Sequence, residues 1–73
     1  MIPASTLNVC ARLLGATPRE VSATLAKLWN DGAIDKRTPY AVVALRVGRA
    51  APGIVKPEVL SSIERGCRAM GMV

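Results

Sequence analysis

The side chains able to do chemistry in this chain of 73 residues are few, and most are of one kind. Histidine is absent, and the two cysteines, Cys10 and Cys67, form no CxxC pair and have no evident base beside them. No two carboxylates are placed for acid–base work, and no glycine-rich loop is present to cradle phosphate. The parts needed for general acid–base or nucleophilic catalysis are therefore missing, and the expectation is a protein that is not an enzyme. A zinc site would have to use two thiolates plus carboxylates, an unusual donor set. The cysteines read instead as reduced, buried packing residues, and no metal or cofactor is expected. What remains is positive charge, ten Lys and Arg against five Asp and Glu, for a formal net charge of +5. That balance suits a protein that meets polyanions, nucleic acid first, although acidic proteins and plain solubility account for such a charge as well.

Any such residues must be held by a small scaffold. A chain of this length makes one domain (1–73) and buries only about 60% of its unfolded surface, so its core is thin and an oligomer would help it. Hydrophobic residues form 51% of the chain, yet phenylalanine is absent and Trp29 and Tyr40 are the only aromatics. The core must then be built from Ala, Val, Leu and Ile, which favours close helix packing. The segment 1–5 lacks the basic stretch and apolar block of a signal peptide, and no apolar run approaches the roughly 20 residues that span a bilayer. No membrane contact and a cytoplasmic location are expected.

Ser5 is placed to cap a first helix over about 6–14. Leu7, Cys10 and Leu14 share one side of it, with Val9, Ala11 and Leu13 beside them, and Gly15 supplies its stop. Thr17-Pro18-Arg19-Glu20 fits a capping box with proline at the first helical position, so a second helix opens there and runs over about 18–31. Val21, Leu25 and Leu28 make its apolar stripe, flanked by Thr24 and Trp29. Arg19, Ala23, Ala26, Lys27 and Asn30 fall opposite. Asn30-Asp31-Gly32 ends it.

From Ala33 the period changes. The β-branched run at 40–47 reads as a strand, and with a short partner at 33–36 it makes a hairpin over about 33–47. Lys36 and Arg37 stand near its tip, before the turn residues Thr38 and Pro39. The stretch 48–53, with two glycines and a proline, is a connector. Pro57 and Glu58 then open a last helix over about 57–70, with Val59, Leu60, Ile63, Cys67 and Met70 on one side. Gly66 either frays its last turn or stops it. Met1, Met70 and Met72 read as gap fillers and a frayed end.

Two short helices joined at Gly15 and Ala16, then Gly32, an apolar residue and a basic hairpin, make an arrangement that resembles the winged helix-turn-helix family, in the manner of a small phage- or plasmid-type regulator. The places that carry the resemblance are Ala11 within the first helix, Gly15 in the turn, Val21 in the second helix, and Leu28, Gly32 and Ile34 leading to the wing. It covers a little more than half the chain. The fold it implies is mainly α with a small β hairpin, extended by the C-terminal helix. Such proteins usually carry a helix before this pair, which is lacking here, and the helix from Pro57 is left to fill that place within the chain or from a second subunit.

The resemblance implies that the helix from Pro18 lies in the major groove of double-stranded DNA with Arg19 as the reader of a base edge. Thr17, Ser22 and Lys27 then touch phosphates or bases, Arg12 holds the backbone, and Lys36 and Arg37 sit on the wing. A sequence-specific transcriptional regulator acting as a homodimer is the function so implied. Each residue has a plainer reading. Thr17 and Glu20 are accounted for by the capping box, the cations by ordinary solvated charge, and Trp29 by a core or interface anchor. The alternative function keeps the same shape but turns it on a host protein, as an adaptor or a small phage-type inhibitor of a nucleic-acid-processing complex. Its motive is that Ala23 and Ala26 leave the reading face short of long polar side chains, while Glu20 repels phosphate.

Overall fold

The computed structural model describes residues 2–73. Four α-helices follow one another there: α1 (Ala4–Leu14), α2 (Pro18–Asn30), α3 (Tyr40–Ala50) and α4 (Pro57–Ala69), with a single 3-10 turn, Pro52–Ile54, before the last. No strand occurs among the described residues, so the hairpin expected over 33–47, and with it the wing, is corrected: 40–47 is helical and 33–39 is an irregular connection. The fold is all-helical.

The reason lies in how α3 is buried. Val43, Ala44 and Val47 face one apolar cluster with Cys10, Ala11 and Leu14 of α1, Val21 and Leu25 of α2, and Ile34 and Val55. Val42 and Leu45 face a second cluster with Cys67 of α4. A helix covered on both sides needs apolar residues at nearly every position, which erases the polar face that marks a surface helix. The valines cost a few tenths of a kcal/mol each in helix propensity, a small sum beside the roughly 1.5–3 kcal/mol gained by burying each such side chain. Ala41, Ala44, Leu45 and Arg46 are good helix formers in any case.

α1 and α3 run side by side in the same direction. The hydroxyl of Tyr40 lies 3.5 Å from that of Ser5 at one end. At the other, a Cβ on Gly48 would stand 3.4 Å from Leu14 Cδ2 and 2.6 Å from Leu60 Cδ1 of α4, so the missing side chain is what lets three segments meet. α4 returns antiparallel to α3, with Leu60 near Gly48, Glu64 beside Arg49 and Cys67 beside Val42 and Leu45. The helix packed against α1, α2 and α4 is α3, not the helix from Pro57.

Several boundaries differ in detail. α1 begins at Ala4 with Pro3 as its cap residue and no capping side chain, so Ser5 lies inside the first turn and does not cap. Gly66 neither stops nor shortens α4; the helix runs on to Ala69, and Gly71, in the left-handed region, follows its end. Met70 is 73% exposed and leaves the apolar side, whereas Met72 packs partly against the second cluster. Met1 lies outside the described residues.

Candidate nucleic-acid interface

α1 and α2 are held at a fixed angle by a three-residue turn. Gly15 takes φ 67°, and its amide and that of Ala16 donate to the carbonyls of Arg12 and Ala11, at 3.2 and 3.0 Å. Satisfying the last carbonyls of α1 in this way requires a left-handed residue, which glycine adopts without strain. Thr17 then closes the capping box: its hydroxyl accepts from the Glu20 amide at 3.2 Å, and the Glu20 carboxylate accepts from the Thr17 amide and hydroxyl, each at 3.0 Å. These bonds, the backbone one first, hold the Glu20 carboxyl below its usual pKa range. It remains ionised beside Arg19.

Val21 and Leu25 are wholly buried and Leu28 is half-buried, so the inner stripe of α2 stands as expected. The outward stripe carries Arg19, Ser22, Ala23, Lys27 and Asn30, all exposed, and Arg12 is exposed at the end of α1. Trp29 is partly buried against the core. The structure thus gathers Arg12, Thr17, Arg19, Ser22 and Lys27 on one helix pair, although the hydroxyl of Thr17 is already engaged as donor and acceptor.

Lys36 and Arg37 are separate from that group, and they are not on a wing. They occupy a tight turn in which Asp35 Oδ1 accepts from the amides of Arg37 and Thr38, at 2.7 and 3.2 Å, while the Asp35 amide donates to the Thr38 hydroxyl at 3.0 Å. The aspartate thus does locally what strand pairing was expected to do. It fixes the backbone and leaves both cations exposed.

A second set of cations lies outside the candidates that motif and helix spacing mark. Arg46 donates to the Ala33 carbonyl just beyond α2, and Arg49 and Arg68 both pair with Glu64, at 3.3 and 2.7 Å. Arg37 and Arg46 line one shallow depression of about 300 Å³ together with Asp35, Thr38, Pro39, Val42 and Met72. The larger groove, about 380 Å³ between the end of α1 and the start of α4, is lined by Leu14, Ile54, Val55 and Val59 with Lys56 as its one charge. The signal that could have found this set is charge asymmetry along the chain. Residues 1–35 hold three cations and three anions, whereas 36–73 hold seven cations and two anions and so carry the whole +5.

Cys10 and Cys67 are buried and unpaired, as expected, and burial pushes the Cys10 thiol up to about 11. Among the described residues no three His, Cys, Asp or Glu side chains gather as a metal site, and no helix is long and apolar enough to cross a membrane. Compared with protein-family models, curated proteins and solved structures, the chain matches none.

Proposed function

We propose that the chain is a DNA-binding regulator that lays α2 in the major groove. The observation that carries this reading is the α1–turn–α2 unit: its inner face is locked by Ala11, Val21 and Leu25, and its outer face offers Arg19, Ser22 and Lys27, all exposed. Arg19, in the first turn, reaches base edges. A guanidinium bonding both acceptors of a guanine contributes about 1–3 kcal/mol of discrimination. Arg12 and the turn bearing Lys36 and Arg37 hold phosphates. Two copies on a two-fold operator, with half-sites about 34 Å apart, complete the arrangement.

The test is a titration of labelled duplexes at low salt, with the mass of the free and bound protein measured alongside. Arg19→Ala is expected to flatten the preference among sequences by about five- to 150-fold while general binding persists. Failure to bind any duplex at low salt ends the proposal. One observation favours a second reading, in which the partner is a host protein: the α1–α2 half is electrically neutral, and Leu13 is 40% exposed at the end of α1. A stoichiometric protein partner surviving nuclease treatment, with no duplex binding, would select it.

A further inference from the structure

We propose that the main phosphate-binding surface is not on the helix pair but on a strip of arginines along the open edge of α3, formed by Arg37, Arg46, Arg49 and Arg68, which takes the sugar–phosphate backbone of duplex DNA. This rests on the DNA-binding reading above and deepens it. Residues 1–35 carry no net charge, because Glu20, Asp31 and Asp35 offset Arg12, Arg19 and Lys27, whereas residues 36–73 carry the whole +5. The salt-dependent attraction to a duplex scales with the phosphates neutralised, so its larger share falls to residues 36–73.

The geometry makes these cations one surface. Arg37 and Arg46 share the edge of one depression, Arg46 reaches the carbonyl that follows α2, Arg49 lies one turn further along α3, and Glu64 joins Arg49 to Arg68 across to α4. The strip therefore starts where α2 ends, and the molecule, 30 Å in its longest dimension, is shorter than one turn of duplex, about 34 Å. Glu64 offsets part of the strip's charge: its side chain, 29% exposed, pairs with guanidiniums whose side chains are 53% and 69% exposed. Each guanidinium has five N–H donors, and those not facing Glu64 are left for phosphate oxygens.

The experiment is the salt dependence of binding to one random-sequence duplex, for the full chain and three variants whose helicity is checked by circular dichroism. Arg49→Gln with Arg68→Gln removes two phosphate contacts, so the slope of log affinity against log salt becomes shallower by about 1.8, at roughly 0.9 per contact. Arg49→Lys with Arg68→Lys keeps the slope. Glu64→Gln, measured independently, tightens binding several-fold for every sequence. An unchanged slope in the double glutamine variant, or unchanged affinity in Glu64→Gln, while Arg19→Ala still alters sequence preference, overturns the strip and leaves the α2 reading standing. No binding by the unaltered chain at low salt overturns both.

Discussion

Thr17 and Glu20 show how a single residue pair can fix an element and constrain its chemistry at once. The box they form satisfies amides that α2 would otherwise leave open, so Thr17→Ala is expected to cost about 1 kcal/mol, read as a shift in a urea unfolding curve. Glu20 adds a pH dependence whose sign is settled by its lowered pKa. The folded state binds that proton less readily than the unfolded chain, so the stabilisation is complete above the ordinary glutamate value of 4.5 and is lost as pH falls through the lower folded value. Glu20→Gln should remove that part of the acid sensitivity. Identical acid limbs for the two proteins would contradict the role given to the carboxylate. This much was legible in the sequence because a capping box involves four consecutive residues and needs no tertiary partner.

At the scale of elements, α2 and α3 make the contrast. α2 was readable because its stripe of Val21, Leu25 and Leu28 alternates with exposed residues and both its ends carry local signals. α3 was not, because its surroundings cover it on both sides, and the apolar run 41–45 fits a buried strand as well as a buried helix. The turn at Thr38 and Pro39 strengthened the wrong reading, since proline opens a helix as readily as it closes a hairpin. The helical assignment has measurable consequences. Leu45 is almost wholly buried between α3 and α4, so Leu45→Ala should cost about 2–5 kcal/mol. Gly48→Leu should cost about 1–3 kcal/mol by overpacking, because the nearest atoms belong to Leu60, Leu14 and Val55. Were 40–47 an edge strand, Gly48 would tolerate the larger side chain.

The whole molecule is a helical core with its charge unevenly spread. Its two cysteines lie in different clusters on either side of α3, Cys10 with α1 and Cys67 with α4. Both are inaccessible, and the raised pKa of Cys10 leaves little thiolate near neutral pH. Alkylation by iodoacetamide should therefore be slow in native buffer and prompt in urea, with the two sites following a single unfolding transition by intact mass. Rapid native labelling of Cys10 would show that the first cluster opens on its own. The charge distribution belongs to this scale too. Arg12, Arg19 and Lys27 lie in the neutral residues 1–35, and the excess lies in 36–73, where neither a strand nor a plain amphipathic helix would mark its arginines as a set.

What the sequence determined unaided is whatever depends on neighbours along the chain: the capping box at Thr17, the left-handed stop at Gly15, the inner stripe of α2 and the proline opening of α4. Tertiary structure alone decided that 40–47 is a helix, that Arg37 and Arg46 share one depression and that Arg49 and Arg68 share one carboxylate. The physical reason is common to both. Which backbone form a continuously apolar segment takes, and which distant cations become neighbours, depends on what packs against each face, and that is set by contacts between residues far apart in the chain.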